Sequence, residues 1–291
     1  MKLGIITKGD KMIRAIATDL DGTLFYPKRM FRLISSANKQ FIRNASKAGK
    51  DVILVTGRNI FVPHKVERKF ALSKDVSIVA CNGARVIYQN EVVSERPILP
   101  DKALKLYWDL ISHKAVKTIM VFSNSRHMYV DAHGMNPFMR LLGLIGMSLQ
   151  GVYYEPFKLG RKATEKHIQN PDTKIYKIMP WFGLGEKGVQ MARTVFDEFK
   201  EKYGNDFEIW FSGSAIEIME KGTNKAHALK ELLKFQNIET EEVAVVGDSG
   251  NDIPLFENFT NSFVMGQAPD EVKEKAKVVL KSFDDLENYI K

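Results

Sequence analysis

Two carboxylates stand two residues apart at the end of an apolar run, in Ile13-Arg-Ala-Ile-Ala-Thr-Asp19-Leu-Asp21-Gly22-Thr23-Leu24. A strand needs no such pair, because ionised groups at its buried mouth are costly unless paired or metal-bound. A phosphoryl-transfer site does need one: the first acid attacks phosphorus and holds a hard cation while its neighbour moves the proton. The competing account is a strand end with a helix-capping aspartate. A second acidic segment, Gly247-Asp248-Ser-Gly-Asn251-Asp252, follows Val243-Ala-Val-Val246. Acids at this spacing around a glycine suit oxygen ligation of magnesium better than that of a softer metal. Alone, the segment also reads as an Asp/Gly turn opening a helix.

Phosphoryl transfer otherwise asks for positioning and neutralised charge. Asp19 can supply the nucleophile, and Gly22 lets backbone N–H groups approach a phosphate closely. Thr56, in Thr56-Gly57-Arg58, offers a short hydroxyl donor, although an ordinary N-cap explains it equally well in isolation. Lys225, after Gly222-Thr-Asn, would set a fixed positive charge beside the anion at a helix start. Taken alone, it reads as a solvated surface lysine.

Five short runs must position these groups: Ile13–Thr18, Val52–Val55, Val76–Ala80, Val243–Val246 and Ser262–Met265. Amphipathic spacing predicts helices over residues 33–48, Pro63–Leu72, Thr223–Phe235 and Asp270–Ala276. The alternation predicts an α/β fold with a mostly parallel sheet covered on both faces. Ligands bind beyond the carboxyl ends of such strands, at a switch in strand order. Asp19/Asp21, Thr56-Gly-Arg58, Cys81-Asn82-Gly83 and Gly247-Asp248 all fall at that edge. Residues 86–218 differ in texture. Val86–Val93 reads as a hairpin about Gln89-Asn90. The helical and strand-like segments after it suffice for an inserted α+β domain with its own core.

The chain resembles the haloacid dehalogenase superfamily, in particular its Cof-type sugar-phosphatase-like branch. The resemblance rests on Asp19-Leu-Asp21-Gly-Thr, Thr56-Gly-Arg58, Asn82-Gly83-Ala84, Gly222-Thr-Asn-Lys225 and Gly247-Asp-Ser-Gly-Asn251-Asp252, in family order. It implies a Rossmann-like core formed by residues 1–86 and 219–291, with residues 87–218 as an inserted α/β cap. It implies Asp19 as nucleophile and Mg2+ ligand, and Asp21 as general acid/base and backbone ligand. Asp248 would ligate the metal and Asp252 would stand behind it. Gly22, Thr56, Gly57, Lys225 and Asn251 would hold the phosphoryl group. The implied enzyme is a magnesium-dependent phosphatase acting on sugar phosphates or similar phosphomonoesters through an aspartyl-phosphate. A phosphomutase of the same superfamily is the nearer alternative. Trp181, Phe182, Arg126 and His127 are the cap side chains that could face the cleft. Two departures stand out. The stretch Leu280-Lys-Ser-Phe-Asp-Asp-Leu replaces a common Thr-x-x-Asn…Gly-Val run, and Met1–Lys11 extend beyond the family's usual start.

Gly183-Leu-Gly185-Glu-Lys-Gly188 spells a dinucleotide-binding G-x-G-x-x-G, a distant alternative because a lone match is weak. The six histidines are scattered without metal spacing. Cys81, the single cysteine, excludes an internal disulfide and reads as a small residue at the core edge. The 291 residues suffice for two domains. No apolar stretch reaches membrane-spanning length; the richest, Phe138–Leu149, is expected to be a buried helix. Together these features predict a cytoplasmic protein with no membrane partner and an unreadable oligomeric state. The net charge of +8 is concentrated in residues 1–85, which carry +11, while residues 219–291 carry −5. Arg32, Lys39, Arg43, Lys47 and Lys50 read as a solvated face opposite Phe31, Phe41 and Ile42. No aromatic interleaving points to nucleic acid.

Overall fold

Short β-branched runs buried on both faces build the first sheet, as a covered parallel sheet requires. The computed structural model describes residues 11–27, 34–70, 72, 75–148 and 155–290. The extension Met1–Asp10, with Phe31, Arg32 and Leu149, lies outside the described residues. Strand β1 (Ala15–Thr18) leads through α1 (Ser36–Lys47) to β2 (Asp51–Val55), then through α2 (Phe61–Phe70) to β3 (Ser77–Ala80). The hairpin β4 (Arg85–Tyr88) and β5 (Glu91–Glu95) follows. Ser35 caps α1 by accepting the Asn38 N–H at 3.0 Å.

The second sheet is laid down next, with α3 (Pro100–Ser112), β6 (Thr118–Ser123), β7 (Met128–Asp131), α4 (Pro137–Ser148) and β8 (Phe157–Leu159). It is completed by α5 (Arg161–Gln169), β9 (Ile175–Trp181), α6 (Gly185–Tyr203), β10 (Phe207–Ser212) and β11 (Ala215–Glu220). The chain then returns through α7 (Lys225–Gln236), β12 (Val243–Gly247), α8 (Ile253–Asn258), β13 (Asn261–Met265), α9 (Asp270–Lys273) and β14 (Val278–Leu280).

The first sheet runs β14-β13-β12-β1-β2-β3-β4-β5, parallel as far as β3. Strand order reverses between β1 and β12, which creates the ligand-binding switch point at their carboxyl ends. Ile16, Leu54 and Val246 pack with Phe41 and Val66 on one face. Ala17, Val55 and Val245 pack with Leu229 and Phe256 on the other. This is the α/β architecture expected from the sequence. The six-stranded second sheet, β10-β11-β9-β6-β7-β8, forms the cap. Its alternate residues Ile119, Val121 and Ile178 pack against Leu106, Ile168 and Phe199 from α3, α5 and α6.

Two expectations change. The division after residue 86 would split a hairpin whose β4 pairs with β3, so Arg85–Glu95 stay in the first sheet. The crossing falls before Ile98, which bridges Ile175 of the cap. Helix α4 is not a buried helix: Phe138, Leu141 and Ile145 are 67%, 55% and 47% exposed. Strand β9 runs on through Pro180 and Trp181 toward Gly183. Finally, the divergent tail is a structural closure. Phe283 and Leu286 are buried, and Phe283 meets Phe41 edge-on at 5.6 Å. No helix among the described residues is long and apolar enough to cross a membrane.

Phe283→Ala should therefore destabilise the first sheet's layer by about 3–5 kcal/mol through loss of a fully buried ring. Denaturant unfolding of the variant beside wild type checks this; an unchanged midpoint would contradict the packing role.

Candidate active site

The loop after β1 carries the first pair of acids. The Asp19 N–H donates to Val246 O at 2.9 Å, and a single wide turn over Leu20–Leu24 follows. That turn needs Gly22 at φ +81°, where other residues are strained. A Cβ on Gly22 would also fall on the Asp248 carboxylate, with its Cγ only 2.6 Å away. Glycine is thus what allows the loops after β1 and β12 to meet. The Thr23 hydroxyl bridges them, donating to Asp248 Oδ1 at 3.1 Å.

Lys225 enters from the first turn of α7, whose N-cap Asn224 accepts the His227 N–H at 2.9 Å. Its ammonium is 0% exposed and lies 2.7 Å from both Asp19 Oδ1 and Asp252 Oδ1. It also reaches Asn251 Oδ1 at 3.4 Å. Burial opposes the lysine charge, but Asp19 and Asp252 outweigh it and hold the group above the ordinary lysine range. Burial pushes the Asp19 carboxyl well above the carboxylate range against the pull of Lys225, and the neighbouring acids add to the rise. Burial and Asp252 together push Asp248 up to about 7.

Asp252 spends its second oxygen on the N–H groups of Asp248 at 3.0 Å and Ser249 at 3.1 Å. Asp19, Asp248 and Asp252 each bring a carboxylate oxygen within 4.8 Å of the others. This all-oxygen donor set fits a hard divalent cation. Asp19 and Asp248 each keep one oxygen free of hydrogen-bond donors among the described residues, whereas Asp252 is committed on both. Asp252 therefore sits behind the cluster as an orienting group.

Asp21 lies apart from this cluster. The Arg58 guanidinium forks onto it, Nε at 2.5 Å and Nη2 at 2.8 Å. The carboxylate of Asp21 is half exposed and lines the cavity, outside the cluster of Asp19, Asp248 and Asp252. Thr56 is buried at the end of β2, and its hydroxyl accepts the Arg58 N–H at 3.1 Å. Asn82, left-handed at φ +56°, accepts from Asn251 Nδ2 at 3.2 Å and donates to Glu217 of the cap. Asp19, Asp248, Asn251, Asp252 and Lys225 thus meet at one edge, with Thr56 and Asn82 beside them and Asp21 turned toward Arg58.

The cap closes over this edge with buried charges. Lys177 of β9 donates to Gly57 O at 2.6 Å and pairs with Glu217 of β11 at 3.0 Å. Glu155 accepts the Asn59 N–H at 3.1 Å, and burial raises its carboxyl despite nearby Arg58 and Lys177. A cavity of about 650 Å³ runs from Asp19 and Asp21 along the cap sheet to Trp181. Trp181 faces it as anticipated. Phe182 packs instead with the helices behind the sheet, and Arg126 stacks over Phe61. His127 is not among the residues lining the cavity.

Sequence reasoning assigned no role to Lys177, Glu217, Glu155, Gln267 or the Arg58 fork. The first two carried a signal, a lone charge in an apolar strand: Ile175-Tyr-Lys-Ile and Ile216-Glu-Ile. Gln267, rather than the tail, is the residue from beyond β13 that reaches the Asp19 loop, donating to Gly22 O at 2.5 Å. Cys81 is fully buried, and burial pushes its thiol up to about 12. The G-x-G-x-x-G segment follows β9, which is antiparallel to both its neighbours, so it does not open a parallel mononucleotide-binding unit.

A family model for haloacid dehalogenase-like hydrolases matches residues 16–287. The chain is 28% identical to the 5-amino-6-(5-phospho-D-ribitylamino)uracil phosphatase YwtE of Bacillus subtilis, covering 94% of both chains. It is 26% identical to the pyridoxal phosphate phosphatase YbhA of Escherichia coli, covering 92% of this chain and 93% of that one. Its fold matches that of a haloacid dehalogenase-like hydrolase from B. subtilis with a TM-score of 0.75 at 23% identity, over 94% of this chain and 96% of that chain. With the acids of β1 and β12 and the lysine of α7 gathered at one sheet edge beneath a cap, the chain belongs to the haloacid dehalogenase-like hydrolases.

Proposed function

We propose that this protein is a magnesium-dependent phosphatase of small phosphorylated metabolites, sugar phosphates or similar phosphomonoesters, working through an aspartyl-phosphate at Asp19. The observation that carries this reading is the buried Asp19 at the cavity's end, with Lys225 on one oxygen and the other turned free. Asp19 attacks phosphorus, and the ester P–O bond breaks as the leaving oxygen takes a proton from Asp21. Asp21, now ionised and held by Arg58, then accepts a proton from the water that attacks the acyl phosphate. The products are the free alcohol, inorganic phosphate and regenerated Asp19.

Lys225, the Thr56 hydroxyl, the N–H groups around Gly22 and Gly57, and the Asn251 amide would hold the phosphoryl oxygens. Asp19, Asp248 and the main-chain carbonyl of Asp21 would hold Mg2+, with Asp252 behind them. The bound ion would neutralise charge developing on the phosphoryl oxygens. The relatives' names support the reading: one is a phosphatase of a ribityl-linked aminouracil and another of pyridoxal phosphate.

Phosphate release from a panel of phosphomonoesters should require magnesium and disappear with a chelator. Asp19→Asn should lower it by about a thousandfold or more while circular dichroism stays native. Turnover at the wild-type rate in that variant would end the mechanism.

Lys225→Met should act on folding as well as on turnover. It leaves the Asp19 and Asp252 carboxylates buried and facing one another, a loss of about 3–5 kcal/mol. Denaturant unfolding followed by tryptophan fluorescence measures it; stability equal to wild type would show that the ammonium is not what holds the two acids together.

A further inference from the structure

Strand alternation gives the cap sheet two faces, and the one turned to the catalytic edge is chemically graded. Lys177, at the catalytic end of β9, contacts Gly57 O and Glu217. Met179 and Trp181 follow on the same face, about 7 and 13 Å farther along the strand at its usual rise. Met120 and Phe122 of the adjacent β6 and Met128 of β7 extend the same surface, and all of them line the cavity. Met120, Met179 and Trp181 are only partly covered by protein, so the cavity is what they face. The indole is fixed, because its Nε1–H donates to Ser214 Oγ at 2.9 Å.

Among the described residues, polar groups are sparse along this stretch. Thr118, Ser212 and Arg140 also line it, and Arg140 turns its Nε–H away to the carbonyls of Ala132 at 3.1 Å and Met135 at 3.0 Å. A polyhydroxylated leaving group would lose water from several hydroxyls here and find few partners for them, an unfavourable exchange for each unmatched group. A flat ring loses little on leaving water and gains contact with thioethers and an indole, which adapt to its shape. The cavity of about 650 Å³ has room for such a group beyond the phosphate.

We infer that the leaving group of the substrate carries a planar ring system, joined to the phosphate by a short polar stem. The ring lies on the floor formed by Met120, Met179 and Trp181, while the stem passes Lys177 and Glu217. The assignment rests on the phosphatase reading and narrows it away from simple sugar phosphates.

The test compares 2-(2-naphthyl)ethyl phosphate with glucose 6-phosphate, both esters of primary alcohols. The naphthyl ester should show kcat/KM at least about tenfold higher, the equivalent of about 1.4 kcal/mol of apolar contact. Met179→Ser should erase that advantage by raising KM for the naphthyl ester, whereas Met179→Leu, which keeps the apolar surface, should retain it. In parallel, calorimetry with wild-type protein and magnesium measures binding of the two non-hydrolysable phosphonate analogues. The naphthyl analogue should bind at least about tenfold tighter. Equal or tighter binding of the sugar analogue, or an advantage that survives Met179→Ser, overturns the inference. If neither ester is hydrolysed and no other phosphomonoester is, the phosphatase reading falls. Tighter binding of the naphthyl phosphonate would in that case still support the ring-binding floor.

Discussion

A single buried ammonium organises the catalytic edge. Lys225 is out of contact with water, which is unfavourable for a lysine unless partners replace its hydration, and Asp19 and Asp252 do so at 2.7 Å. The three groups come from β1, α7 and the loop after β12, so the ion pairs fasten the sheet's switch point from three directions. Asp252 then fixes the backbone of Asp248 and Ser249, and Asn251 joins the same network through Lys225 and Asn82. The loop that presents Asp248 is therefore held by the same charge that holds Asp19. Moving one acid would disturb the other, which makes the geometry of the pair a property of the network.

The network does not stop at the core. Asn82 links Asn251 to Glu217, Glu217 pairs with Lys177, and Lys177 returns to the carbonyl of Gly57. Cap and core are thus joined through polar groups that border the Asp19 end of the cavity. Buried pairs of this kind cost desolvation and are better at fixing geometry than at adding stability. Here they hold the cap sheet in register over Asp19, with its apolar face beginning one residue pair beyond the charged one.

The parts legible in the sequence are those where chemistry overrides ordinary strand composition. Aspartates at the ends of Ile16-Ala-Thr and Val245-Val-Gly are conspicuous because a parallel strand otherwise has no use for them. Their meeting at one edge followed from the α/β alternation alone. Lys225 carried a weaker mark, since a lysine in a first helical turn is usually solvated. The pairings that escaped the sequence are long-range: Asn82 to Glu217, Lys177 to Gly57 and Glu155 to Asn59 span 135, 120 and 96 residues. They depend on how the cap docks, which no local pattern encodes. Helix α4 misled for a related reason. Its composition is apolar, but burial is set by neighbours, and Phe138, Leu141 and Ile145 stay exposed. The hairpin at Arg85–Glu95 was visible as a hairpin, yet period-two alternation does not say which sheet a strand joins.

The two sheets wall the two ends of the cavity differently. Groups at the Asp19 end are fixed by strand ends, a left-handed glycine and buried ion pairs, so substitution there disturbs several elements at once. The cap face is different: Met120, Met179 and Trp181 point from successive positions of regular strands whose other face is already packed on α3 and α6. Met120 and Met179 pack against the separate cluster of Phe122, Met128 and Tyr176, so changing them alters the cavity wall and that cluster but not the layer packed on α3 and α6. Methionine suits that role, because its flexible thioether follows the shape of what lies on it.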